Sequence, residues 1–185
     1  MRKILVFMLA CMFAGCAYID QNLRVAPELN LASSNIGAGR KIVLRVIDDR
    51  EEQLIGKRSS SYGIGMGKIS TRQDLAKVLK DIISDGLRKK GFEPVEEDEK
   101  ANAMKAELRT LKYETAVGLW TGGNIGTAVV RVTATNTAGK TYEQSYRSQK
   151  EIRTAFVGSQ ETNAKVVNDA LNDVIVKVFQ DEKLF

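Results

Sequence analysis

The densest cluster of groups able to do acid–base chemistry is DDREE, residues 48–52. Two carboxylates held about 5 to 9.5 Å apart across a cleft could hydrolyse a glycoside. Asp48 and Asp49, however, are adjacent at the end of a strand-like run. Adjacent side chains on an extended chain point to opposite sides, and Arg50 is placed to pair with one of them. The expectation is a surface turn with an ion pair, and VEEDEK, residues 95–100, reads as a solvated loop. A second candidate, GIGMGK at 63–68, invites comparison with phosphate-binding loops. A P-loop needs G-x-x-x-x-G-K-[ST]. Here Lys68 is followed by Ile69, and the position five before Gly67 is Tyr62. The dinucleotide pattern G-x-G-x-x-G also fails, because Gly63 and Gly65 are followed by Lys68. The chain has no histidine, so it lacks the commonest general base and the commonest transition-metal ligand. No catalytic residue, cofactor site or metal site is assigned.

The residue with the clearest chemistry is Cys16. Arg2 and Lys3 precede an apolar run of ten residues, 4–13. That is half of what a bilayer span needs and has the length and flanks of an export signal. Phe13, Ala14 and Gly15 then lead into Cys16. This arrangement resembles the bacterial lipobox, with Phe13 where the pattern usually has Leu. The resemblance implies cleavage after Gly15, a thioether-linked diacylglycerol on Cys16 and acylation of the new N-terminus. Cys11 is the rival, but cleavage there would leave an apolar run of about seven residues, so it reads as a small apolar residue of the signal. With Cys16 alkylated, the mature chain has no thiol for a disulfide or for nucleophilic catalysis. Several buried acyl chains would give stable attachment to a membrane. Ala17, rather than Asp, follows the cysteine; under enterobacterial-type sorting that implies the outer membrane, with the domain facing the periplasm.

The formal charge is +5, two units of which reside on Arg2 and Lys3. The remaining mild excess gives no reason to expect a nucleic acid partner. It suits a solvated surface or an anionic envelope component.

The elements that must position these groups follow from periodicity. Residues 16–39 lack a sustained period and read as a lipid-anchored tether, with one short edge strand around Leu23 and Val25 before Pro27. Residues 40–48, RKIVLRVID, form a strand. Residues 56–68 are Gly/Ser-rich and read as a loop. Residues 70–91 form a helix: Leu75, Val78, Leu79, Ile82, Ile83 and Leu87 share one face, Ser70 and Gln73 have capping-box spacing, and Gly91 stands past the last turn. A short strand at 92–95 follows. Residues 103–113 form a strand whose inward phase shifts from Leu108 to Leu111, which predicts a bulge near Thr110. Strands 127–135 and 141–152 are joined by NTAGK as a tight hairpin. A second helix begins near Ser159 and runs to Gln180. The predicted fold is α+β: a two-layer sandwich, mainly an antiparallel sheet of four to five strands, with both helices on one face. Residues 1–15 are the signal, 16–39 the tether and 40–185 a single domain.

Between two strands, GLWTGGNIG at 118–126 carries the chain's one tryptophan. Trp120, with Gly122 and Gly123, is the candidate interaction loop. Trp120 could meet a glycan or a protein partner; alternatively it caps the core or touches the membrane.

Several stretches are similar to the YajG-like family of bacterial lipoproteins: the lipobox, VIDDR with LIGKRSSSYG, LRKKGFEPV, LRTLKYE, YEQSYRSQKE and SQETNAKVVNDALNDVIVKVFQD. The similarity covers nearly the whole mature chain, with GLWTGGNIG as a local variation. It implies an outer-membrane lipoprotein facing the periplasm, with no enzyme role and no catalytic residues to carry over. The expectation is a non-catalytic binding or scaffolding protein. It is held at the membrane through lipidated Cys16 and meets an envelope protein or cell-wall partner. The alternatives are an accessory subunit of an envelope export or assembly complex, and the glycan-acting enzyme above.

Overall fold

A computed structural model describes residues 19–59, 65–117, 122–154 and 158–185. The described residues form eight strands and two α-helices, with four strands before each helix. The strands are β1 (Gln21–Asn22), β2 (Lys41–Asp48), β3 (Gly56–Ser59), β4 (Gly65–Ser70), β5 (Glu93–Val95), β6 (Asn102–Val117), β7 (Gly122–Thr135) and β8 (Thr141–Thr154). Helix α1 (Leu75–Lys89) lies between β4 and β5, and α2 (Gln160–Gln180) follows β8.

All eight strands belong to one sheet, which is larger than the expected four to five strands and is mixed rather than mainly antiparallel. Antiparallel pairing joins β6 to β7, β7 to β8 and β3 to β4. The pairings β2–β6, β2–β5, β3–β6 and β1–β4 are parallel. The long β6 organises the sheet. Along one edge it pairs first with β2 (Ile42 opposite Asn102) and then with β3 (Gly56 opposite Tyr113). Its other edge carries β7 throughout.

Alternation puts Ile42, Leu44, Met104, Ala106, Leu108, Ala128, Val130 and Val132 on one face, all buried. The opposite face bears Arg45, Lys105, Arg131 and Glu143. The bulge falls between Leu108 and Thr110, where the apolar phase shift placed it, and Leu111 and Tyr113 stay inward. Both helices cover the same face and contribute to one core: Leu79, Ile83 and Leu87 from α1, with Val167, Leu171, Val174, Ile175 and Val178 from α2.

Helix ends follow local chemistry. Ser159 caps α2 and accepts from the Thr162 N–H at 3.1 Å. Helix α1 closes in a Schellman pattern, with Phe92 N–H donating to Leu87 O and Gly91 N–H to Arg88 O, Gly91 having φ +83°. Its start differs from expectation. Asp74, not Ser70, is the N-cap and accepts from Lys77 N–H. Ser70 is still in β4, and Gln73 serves another purpose described below.

The Gly/Ser-rich stretch expected to be a loop is in its described part the β3–β4 hairpin. Its glycines permit close approach: a Cβ at Gly67 would sit 2.7 Å from the Ile19 carbonyl oxygen, which leaves room there for glycine alone. Gly67 of GIGMGK thus admits the N-terminal segment onto the sheet.

Candidate functional site

Residues 19–31 lie along the domain. Leu23 and Val25 are buried in the core, and β1 runs parallel to β4. Side-chain carboxamides do much of the holding. Gln73 accepts from Val25 N–H at 2.6 Å and donates to Val25 O at 3.0 Å, as a strand neighbour would. Asn168 does the same for Ala26 N–H and Arg24 O, Gln160 donates to Asn22 O, and Asn163 donates to the Gln21 side chain. This strap delivers the chain to Ile19, at the end of the sheet where β3, β6 and β8 finish. Arg58 donates to the Ile19 carbonyl and Asp20 accepts from Lys68 N–H.

Beneath that end is a buried polar network. Tyr113 and Asn124 are each 1% exposed and face each other from β6 and β7; the Tyr113 hydroxyl donates to Asn124 Oδ1 at 2.7 Å. Asn124 Nδ2 donates to Ile152 O and Thr154 Oγ1. Burial raises the Tyr113 pKa above its ordinary value, with Thr115 and the Arg58 charge opposing it. Asn124 belongs to GLWTGGNIG, and so does Gly126, where a Cβ would collide with the Val166 carbonyl of α2. The strand β7 therefore takes in Gly122 to Gly126, beginning five residues earlier than its apolar pattern suggested. Residues 118–121, including Trp120, lie outside the described residues. Their flanks, Val117 and Gly122, are paired with each other at the same end of the sheet as Ile19. Gly123 packs beside Ala116 and Glu151. Cys16 and Cys11 also lie outside the described residues.

The carboxylates of DDREE are separated as the strand geometry required. Asp48 takes a two-pronged pair from Arg50 (2.7 and 2.8 Å), whose guanidinium is buried and also reaches Gln53. Asp49 points to the other face and pairs with Arg109. A shallow cleft of about 330 Å³ lies beside them, lined by Asp49, Glu51, Glu52, Arg109 and Lys112. Each aspartate is committed to a guanidinium. Among the described residues, no group of three or more Cys, Asp or Glu side chains is arranged to hold a metal.

At the far end of the sheet, Tyr142 and Tyr146 both donate to Asp181 Oδ2, at 3.0 and 2.5 Å. Burial and the Asp181 carboxylate push the Tyr146 pKa far up, while those hydroxyls, Tyr146 first, hold the Asp181 carboxyl low. Between the ends, Asp173 of α2 receives Lys150, Lys177 and Ser148 of 2.6 to 2.9 Å. Burial works against its charge, but these donors outweigh it and hold its carboxyl well below the usual range.

The sequence matches the family described as uncharacterized lipoprotein (Lipoprotein_16) over residues 27–185, and the chain belongs to it. No curated protein matches the chain. The fold is similar to protein XCC0632 from Xanthomonas campestris, with TM-score 0.55, 10% identity, and 87% of this chain and 91% of that one covered. A neuraminyllactose-binding hemagglutinin homolog from Helicobacter pylori gives TM-score 0.50 at 11% identity, covering 86% and 94%. A minor lipoprotein from Acinetobacter baumannii gives 0.49 at 10%, covering 77% and 91%. At these identities the likeness is one of fold. No described helix is long and apolar enough to cross a membrane.

Proposed function

We propose that this protein is a non-catalytic binding or scaffolding lipoprotein, attached through lipidated Cys16 to the outer membrane and facing the periplasm. The observation that carries the reading is the docked strap. Ile19 is three residues from Cys16, so a lipid there keeps the domain within about 10 Å of the bilayer surface. A free segment from 16 to 39 could extend about 80 Å. Val117 and Gly122, the residues on either side of the segment that bears Trp120, are at the same end of the sheet, which suits an aromatic contact with a membrane-proximal envelope partner. The pairing of Asp48 with Arg50 and of Asp49 with Arg109 supports a role without catalysis.

The test is palmitate labelling and density fractionation of wild type and Cys16→Ser, followed by affinity capture with Trp120→Ala. The expected result is label and outer-membrane sedimentation only with Cys16 intact, and weaker partner capture by Trp120→Ala at unchanged melting temperature. Label retained by Cys16→Ser, or wild type sedimenting with the inner membrane, would overturn the attachment. A large melting loss in Trp120→Ala would make that residue structural.

A further inference from the structure

The two sides of the sheet end differently. One ends in β5 and β1, three and two residues long. The other ends in β8, fourteen residues long, which among the described residues pairs only with β7. Natural sheets usually keep exposed edge strands short, because a long edge is a template for another strand. At the hairpin Asn136 N–H donates to Lys140 O, so even-numbered residues of β8 turn their backbone groups toward β7 and odd-numbered ones turn theirs outward. Two side-chain contacts agree with this phase: Lys177 donates to Arg147 O and Gln144 to Ser145 O.

From this we infer that the outer edge of β8 is a docking surface for a second copy of this chain, in antiparallel pairing about a two-fold axis at Ser148. The charge pattern argues for that occupant and register. With Ser148 opposite itself, Arg147 faces Gln149, Ser145 faces Glu151 and Glu143 faces Arg153, twice over by symmetry. Nearly the whole strand is paired, and no like charges are directly opposed. A register centred on Arg147 would oppose that arginine to itself and Glu143 to Glu151. One centred on Lys150 would oppose Arg147 to Arg153. Opposite-charge pairs across strands are favourable and like pairs are not. Lys177 gives up Arg147 O to the Gln149 N–H of the second copy and keeps its ion pair with Asp173, 2.9 Å away. On a shared membrane the two anchor ends lie at opposite ends of a continuous sheet whose plane runs along the bilayer. Confinement to that surface raises the effective concentration of copies.

The experiment is sedimentation of the full chain in detergent, with Glu143→Arg, Arg153→Glu and the double exchange. Both positions are on the outward, solvent-facing side of β8, and circular dichroism checks folding. The expected result is a dimer in wild type, weakened at least about 10-fold in each single variant and restored in the double. Ser148→Cys should cross-link to itself under copper–phenanthroline oxidation, whereas Thr141→Cys, far from the axis, should not. A monomer at every concentration overturns the inference. So does a dimer indifferent to all three charge variants, which would use another surface. Loss of palmitate label with persistence of the dimer would overturn the membrane reading alone.

Discussion

Two tyrosine clusters stand at opposite ends of the same sheet and solve one problem differently. At the Ile19 end, the Tyr113 hydroxyl donates to the carboxamide oxygen of Asn124, with both side chains buried. At the far end, the Tyr142 and Tyr146 hydroxyls donate to a carboxylate, Asp181, where solvent still reaches the acceptor. A charge inside the first site would cost several kcal/mol of desolvation; a neutral amide supplies both donor and acceptor without it. At the second, water shares the solvation of the charge and the carboxylate can serve two donors. The difference teaches that the Ile19 end is built for rigidity and the far end for polar closure at the surface.

Substitutions can break or sharpen that contrast. The largest effect is expected from Asn124→Leu, which strands the Tyr113 hydroxyl and the Thr154 contact. A loss of about 2–4 kcal/mol follows for a buried network, read by thermal or denaturant unfolding; a loss below that of any surface change would remove the basis of the contrast. Tyr113→Phe leaves the Asn124 oxygen unanswered and takes the acceptor from the Thr115 hydroxyl, and should cost about 1–2 kcal/mol.

Asp173→Asn tests the charged middle of α2. Its folded carboxyl is held below the ordinary value, so its contribution is present above roughly pH 4 and is lost as the pH falls through the lower folded value. The variant should lose about 1 kcal/mol at neutral pH, given partial exposure, and its stability should fall less steeply on acidification. An unchanged acid slope would contradict the network around Asp173.

The smallest stability effect is expected at Asp181→Asn, since both tyrosine hydroxyls can turn to water. Its signature is spectroscopic. With the carboxylate gone, Tyr146 should ionise at lower pH in an ultraviolet titration, because Asp181 is one of the groups that raise it. If Tyr146 titrates as before, burial alone sets its value and the two clusters are closer in kind than their acceptors suggest.

Much of the far end is legible in sequence. Tyr142, Gln144 and Tyr146 share a face by alternation, and the NTAGK turn sets the phase of that alternation. The Ile19 end is less so. Asn124 sits on the inward phase of β7, two residues before Gly126 and four before Ala128; a polar residue on an apolar phase was the signal, obscured by the surrounding glycines. Gln73 matched a capping box as a string, yet Asp74 caps the helix, because Gln73 is drawn to the backbone of Val25, 48 residues away.

What the sequence determined by itself was everything with a local cause. The helices follow from 3.6-residue apolar spacing, with Gly91 and Ser159 at their ends. The bulge at Arg109 follows from the phase shift between Leu108 and Leu111, and the β7–β8 hairpin from a turn whose geometry is written in five residues. The tertiary structure alone decided the parallel neighbours of β6, the docking of residues 19–31 and the outward edge of β8. Those depend on which distant segment best satisfies backbone groups and apolar faces. Residues 16–39 suggested a tether because nothing within them repeats. In the fold, Leu23 and Val25 are buried because the core and four carboxamides from elsewhere in the chain meet them there.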